Sequence, residues 1–484
     1  MDGRHTTESG LRLAHSPTRF GAQWESMKLY AAELDFSDVA REFQVEREFP
    51  PNLVEEARSA RDQFAAHRRD LRDIDFVTID PVGSKDLDQA VYITEKGDCL
   101  EVWYAIADVG AFVRPGMGLY DEALRRGQTI YLPDEPARLY PPELSEGSAS
   151  LLPGVDRPAV CWRMLVDAAG DVQEYDLSRA TVRSRAQLDY VNAHHPSIDL
   201  LPRLGSLRRA SSLRRKAVNL SLPDTRVHRL DDGKFELILE PRNQAMDDNS
   251  EVSLMAGMVA GAMMAEWGHG YLRTLHPAPE EALEAFATEL ASLGLTFDPR
   301  SEVGVFLASV DPTTVTGMAV HKEAAKLLRG ADYLFLDTKP AVIHAGVGGM
   351  YAHVTAPLRR LVDRYATEYC LARAEGRAPE SWAREDAEAV IDTMRHTSQH
   401  ANTVDNACIR LTEATVLQPW VGTTFDALVL KTNEEKNTAK IMLSQPPIIS
   451  TDLVGSPAEG DTTPVTLVTA DPAEREIAFA WPAD

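Results

Sequence analysis

Four cysteines are all the chain has, and Cys99, Cys161, Cys370 and Cys408 stand far apart with no C-x-x-C pair. That spacing argues against a zinc site and a disulfide framework, and places the chain in a reducing cytoplasm. Long apolar runs are missing too. The opening "MDGRHTTESGLRLAHSP" lacks the apolar stretch of a secretory signal, and the longest run, "LMAGMVAGAMMA" (Leu254–Ala265), is too short to span a bilayer. Its small residues predict a closely packed buried helix, and no membrane partner is expected. A basic excess is absent as well: 50 Lys and Arg face 74 Asp and Glu, a net charge of −24. Alone, that balance argues against a nucleic-acid partner, whose phosphates are neutralised by Lys and Arg. It leaves room for a local basic channel, because net charge governs solubility and long-range steering.

What is present divides the chain in three. The 484 residues exceed one ordinary domain. Residues 1–69 read as a small helical module broken at Pro50-Pro51, with a helix-turn-helix as one form it takes. From Phe76 onward "FVTI", "AVYIT" and "LEVWYAIADV" are strand-like, with Gly97-Asp98 turning the last two into a hairpin. Strands and helices then alternate to about residue 417. In 418–484 four short runs, "TFDALVLK", "NTAKIMLS", "TPVTLVTA" and "REIAFAW", suit a small Greek-key barrel of the OB type. The fold class is therefore α+β.

Between the first two strand-like runs, "TIDPVGSKDLDQA" places Asp80, Asp86 and Asp88 within nine positions, followed by Gln89. An Asp-rich turn is ordinarily only a turn. Here the acids adjoin Ile79, Leu87, Ala90 and Val91, and carboxylates crowded at the edge of a core repel unless a cation neutralises them. Oxygen ligands select magnesium or manganese over zinc, and two such ions about 4 Å apart can clamp a phosphodiester displacement. The stretch "YAHVTAPLRRLVDRYATEYC" predicts a helix from Thr355 with Pro357 in its first turn. That places Arg359 and Arg360 near a helix N-terminus, a position that makes sense if they hold an anion. Tyr131, in "GQTIYLPDE", is a lone aromatic in a polar loop, suited to core packing or base stacking.

Taken in order, "TIDPVGSKDLDQAV", "YAIADVGAFV", "TIYLPDEPARLYPPELSEGSASLLPG", "RPAVCWRM", "RSRAQLDY" and "YAHVTAPLRRLVDRY" resemble the catalytic (RNB) domain of the ribonuclease II/R family, over roughly residues 70 to 415. The resemblance implies an RNB catalytic domain over 70–417 and a hydrolytic exoribonuclease. Such an enzyme degrades RNA from its 3′ end to nucleoside 5′-monophosphates with Mg²⁺, or with Mn²⁺. It implies that Asp80, Asp86 and Asp88 carry metal, that Gln89 stands where a fourth aspartate is usual, and that its amide oxygen faces a metal. Arg359 would clamp the scissile phosphate with Arg360 beside it. Tyr131 would stack on a base, Tyr190 would contact the terminal nucleotide, and Glu251 would read a ribose 2′-hydroxyl. Asp405 aligns with a usual glutamate on the RNA path. Leu222 takes the place of a phenylalanine that closes the stack opposite Tyr131.

The expected partners are single-stranded RNA 3′ ends and structured RNA, met by a monomer. Structured RNA enters because the 79 residues before Asp80 are helical in pattern and lack the alternating strands of the cold-shock barrels usual there. The alternative is an RNB-fold protein with a weakened metal site that binds RNA without cutting it. Gln89 favours that alternative; three retained aspartates with Arg359 and Tyr190 oppose it.

Overall fold

A computed structural model of the chain describes residues 30–482, apart from 32–33, 223, 231–232, 241, 339, 444–447 and 449–450. At its centre four long strands, Gln89–Lys96, Cys99–Ala107, Asp156–Val166 and Val172–Arg183, lie side by side and antiparallel. Val77–Ile79 extends one edge of this sheet and Ala186–Leu188 closes it, while Arg69–Asp70 adds to the other edge. The hairpin read from Gly97-Asp98 is there. Gly97 adopts a φ of +60°, which a tight turn needs and glycine tolerates. With Lys96 opposite Cys99, the register sets Gln89 opposite Ile106 and Val91 opposite Tyr104.

The sheet packs on helices. Gln244–Trp267 is capped by the Asn243 side chain, which accepts from the Met246 N–H, and ends at the left-handed Gly268. It contains the Leu254–Ala265 run, and the small residues serve the close packing expected of them. A Cβ on Gly261 would lie 2.5 Å from the Tyr351 backbone nitrogen, and one on Gly257 would lie 2.3 Å from the Tyr351 ring. No helix among the described residues is long and apolar enough to cross a membrane. Helices Leu201–Arg214 and Leu361–Ala374 flank this one, and one continuous apolar core joins helices and sheet.

Of the two forms read for the amino-terminal module, the described part shows short helices packed on the main domain and not a helix-turn-helix, and residues 1–29 lie outside the described residues. A helix-turn-helix packs its two helices on each other across a short turn. Here Ser37–Glu42 and Pro51–Ser59 are separated by residues 43–50 and take different partners. Phe36, Val39 and Ala40 join a cluster with Phe235, Val404 and Cys408, whereas Leu53 and Ala57 belong to the main core. Each helix has spent its apolar face on the body of the protein.

The long helix Ala387–Leu417 leads into the carboxy-terminal unit, and its Ala414 and Leu417 are part of that unit's core. Strands Thr424–Asn433, Thr438–Leu443, Thr451–Val454, Thr462–Asp471 and Glu476–Ala480 close into a barrel. Of its five strands, Thr451–Val454 is the one the sequence pattern does not reveal. It is short, and it earns its place by pairing on both sides, antiparallel to Thr438–Leu443 and parallel to Glu476–Ala480. The architecture is α+β throughout.

Candidate active site

The aspartates are held by the sheet at both ends of their loop. The Asp80 N–H donates to the Leu188 carbonyl, and the Asp88 carbonyl accepts from the Ala107 N–H. Between them the Leu87 N–H donates to Ser150 Oγ at 2.9 Å, and that hydroxyl donates on to the Lys85 carbonyl at 2.6 Å. The loop is thus fixed, and Asp88 sits 2% exposed at its end. Burial pushes the Asp88 carboxyl up to about 8, although Arg359 and the Leu358 N–H hold it down. Burial also lifts Asp80 to about 6, with Arg359 opposing and Asp86 assisting, and it raises Asp86. Oδ2 of Asp80 and Oδ2 of Asp88 accept no hydrogen bond.

Arg359 is the cation among these acids. Its Nε lies 3.2 Å from Asp88 Oδ2, and its side chain remains 46% exposed. The route to this position is not the one expected, because the helix begins at Leu361 and not at Thr355. Two buried carboxylates capture the backbone that would have formed its first turns. The Leu358 N–H donates to Asp88 Oδ1 at 2.8 Å, and the Ala356 N–H donates to Asp363 Oδ1 at 2.7 Å. On the far side, the Thr129 N–H donates to the Arg359 carbonyl and the Leu361 N–H to the Gly127 carbonyl. Residues 355–360 are therefore an irregular bridge between the acid loop and the Gly127–Thr129 segment.

Most of the expected residues line one or other of two cavities that share Arg359; Asp88 lines neither and is reached through Arg359. One, of about 490 Å³, is lined by Asp80, Asp86, Tyr131, Arg226, Asp405 and Arg359. The other, of about 610 Å³, is lined by Gln89, Tyr190, Asn249, Glu251, Ser253 and Arg359. Tyr131 is half exposed, and its hydroxyl is 3.5 Å from Asp86 Oδ2. The Tyr190 hydroxyl accepts from Asn249 Nδ2 at 3.3 Å. Glu251 is buried, which raises its carboxyl, while Arg208, Arg215 and Arg209 pull it back; Arg208 Nε is 3.9 Å away.

Two residues do not sit as expected. Arg360 lines neither cavity; its Nε and Nη2 are 2.5 Å and 2.9 Å from the Asp363 carboxylate, so it braces the bridge. The Gln89 amide oxygen does not face the acids. It accepts from the Tyr104 hydroxyl and from Ser253 Oγ at 3.1 Å. Tyr104 and Ser253 went unseen in the sequence, although a two-residue hairpin turn puts Tyr104 diagonally across from Gln89 on one face. Arg208 and Arg215, behind Glu251, left no sequence signal.

The donor set fits a hard divalent ion. Three carboxylates with raised pKa offer only oxygen, Asp80 Oδ2 accepting no hydrogen bond and Asp88 Oδ2 facing Arg359 alone, and a cation would relieve the burial that raises them. Among the described residues no group of three acidic, His or Cys side chains is placed to hold a metal ion by itself, so an ion here would need ligands from water or substrate. Such a site suits an ion that retains waters and shares a substrate oxygen, as magnesium does.

Residues 68–370, more than half the chain, match the RNB domain, and residues 423–481 match the RNase II-type exonuclease C-terminal S1 domain. The chain belongs to the RNB-domain family. Ribonuclease R of Vibrio cholerae is 28% identical over 376 residues, covering 71% of this chain and 45% of that protein. Ribonuclease R of Escherichia coli K12 is 28% identical over 383 residues, covering 73% and 46%. The chain thus spans about half the length of these relatives. Among solved structures, Mycoplasma genitalium RNase R in complex with ribose-methylated single-stranded RNA superposes with a TM-score of 0.82. The match covers 92% of this chain and 77% of that one at 17% identity. Yeast Ssd1, described as a pseudonuclease, superposes with a TM-score of 0.68 at 14% identity, covering 87% and 55%. Both likenesses are of fold.

Proposed function

We propose that this chain is a hydrolytic 3′→5′ exoribonuclease that releases nucleoside 5′-monophosphates. One observation carries the reading: Arg359 is shared by two cavities and lies against the buried Asp88, with Asp80, Asp86 and Tyr131 lining one cavity and Tyr190 and Glu251 the other. That is the arrangement a strand needs to be threaded in and cut near its end. Asp80, Asp86 and Asp88 are the residues that would hold a divalent ion, which would supply Lewis-acid stabilisation of the phosphodiester charge. The chain's own residues do the rest. Arg359 has an exposed half with which to hold the scissile phosphate and balance the charge that develops there. Tyr131 offers a ring face to a base. Tyr190 positions the terminal nucleotide, and Glu251 accepts from its 2′-hydroxyl, a group DNA lacks. Asp405 and Arg226 line the approach. Water forms a bond to phosphorus as the P–O3′ bond breaks, leaving a new 3′-hydroxyl and a 5′-monophosphate.

A second reading, an RNA-binding protein that does not cut, is favoured by Gln89, whose oxygen is turned from the acids, and by Arg359, whose Nε already lies against Asp88 Oδ2. The fold serves both, since a pseudonuclease shares it. One experiment separates them: 5′-labelled oligo(A) incubated with the protein and Mg²⁺, with EDTA as control. A ladder that shortens from the 3′ end only with Mg²⁺ supports the exoribonuclease. Retarded but intact RNA would leave the binding protein standing.

A further inference from the structure

We propose that Gln89 serves the RNA and not the metal: its amide nitrogen donates to a phosphate oxygen at the 3′ end of the substrate, oriented by Tyr104 and Ser253. This rests on the exoribonuclease reading and assigns one more residue of the same site.

An amide oxygen has two lone-pair directions, and both are used here, by the Tyr104 hydroxyl and by Ser253 Oγ. To ligate an ion, Gln89 would have to break both bonds. The two hydroxyl oxygens lie 2.8 Å apart, so with one proton each they converge on the amide from neighbouring positions and leave it little freedom to turn. Tyr104 is 1% exposed, so it cannot swing aside. With the oxygen facing this network, the NH₂ group is on the opposite side. None of the described residues accepts a hydrogen bond from it. Gln89 lines the cavity that holds Tyr190, Glu251 and Arg359, and a substrate in that space is the acceptor on offer to its two N–H donors.

The chemistry of the substrate selects the acceptor. Near the 3′ end the RNA presents phosphate oxygens, which accept hydrogen bonds and donate none. Arg359 is shared by both cavities and is therefore the residue around which that phosphate would sit. A carboxylate at position 89 could only accept and would repel the same phosphate. The amide exchanges a unit of negative charge for a donor. Losing one metal ligand and gaining one phosphate contact is then a change of role, not a defect.

The test uses the full chain and two readouts that do not depend on turnover. The first is Mn²⁺ binding followed by electron paramagnetic resonance. The second is binding of oligo(A) in EDTA, where no cleavage occurs. Gln89→Leu, of similar size, should leave the number and affinity of bound Mn²⁺ within twofold and weaken RNA binding about tenfold. Gln89→Glu keeps the size and the acceptor for both hydroxyls; it should tighten Mn²⁺ through added charge while weakening RNA at least as much. The positioning role is read in the Tyr104→Phe/Ser253→Ala background, where Gln89→Leu should cost RNA binding less than twofold. The same tenfold cost in that background would remove Tyr104 and Ser253 from the proposal. Loss of a Mn²⁺ ion, or tenfold weaker Mn²⁺ binding, in Gln89→Leu would make Gln89 a ligand and overturn it. A wild-type chain that binds neither Mn²⁺ nor RNA overturns the exoribonuclease reading as well.

Discussion

At the scale of single residues, the site is defined by carboxylates in a place that disfavours their charge. Asp88 shows it best, because its surroundings were built before any ion arrives: one oxygen is held by the Leu358 N–H and the other lies against Arg359. Asp88→Asn should lower cleavage of oligo(A) by at least about a hundredfold while RNA binding persists or tightens, since a charge beside the phosphate has gone. Cleavage at the wild-type rate would remove Asp88 from the metal site. The same residue makes the protein's stability pH-dependent. In EDTA the folded state keeps the Asp88 proton up to about pH 8, whereas an unfolded aspartate releases it near 4. The folded pKa is raised, so this contribution is fully present below about pH 4 and is lost as pH rises toward 8. Asp80, raised to about 6, adds to the same loss over a lower window. The melting temperature of Asp88→Asn should therefore gain on wild type by several degrees between pH 5 and pH 8. A difference that stays constant with pH would show that Asp88 ionises freely.

At the scale of elements, two features were legible and one was not. Alternating apolar residues around Gly97-Asp98 announce a hairpin, and the two-residue turn carries its register. The glycines and alanines of Leu254–Ala265 announce a helix approached closely by other chain, and Tyr351 is that approach. Gly261→Ala should therefore destabilise the protein by about 1–3 kcal/mol, because the obstacle is backbone and cannot turn away. Urea unfolding would measure it, and an unchanged midpoint would mean that the helix and the Tyr351 segment slide apart freely. The start of the helix at Leu361 was not legible. Pro357 and the apolar spacing both favour an earlier start. What overrides them is Asp363, close by in sequence, together with Asp88, which lies 270 residues from the Leu358 N–H it captures.

At the scale of the whole molecule, an acidic protein carries a cleft in which Arg226, Arg359, Arg209 and Arg242 line the walls. A net charge of −24 and an RNA site are compatible because these arginines are gathered in one place. RNA binding should weaken steeply with salt, each neutralised phosphate contributing a log–log slope of about −0.7 on a single strand. Arg226→Ala should make the slope shallower by about that amount, as titrations from 50 to 300 mM salt would show; an unchanged slope would place Arg226 off the RNA path. The barrel is tied to this body through Ala414 and Leu417 of the long helix, so it is anchored by a shared core and not by a linker alone.

By itself the sequence determined which chemistry the chain can carry. Asp80, Asp86, Asp88, Arg359 and Tyr131 stand out because a crowding of residue types is a local property, as do the hairpin, the buried helix and most of the barrel, whereas Tyr190 and Glu251 are picked out only through the family resemblance. Tertiary structure alone decided how those groups are aimed. Gln89 turns its oxygen to Tyr104 and Ser253, Arg360 braces Asp363, and two short helices join separate cores. The physical reason is common to all three. A hydrogen bond or a buried face goes to whichever partner folding brings within reach, whether that partner is 164 residues away, as Ser253 is from Gln89, or only three, as Asp363 is from Arg360.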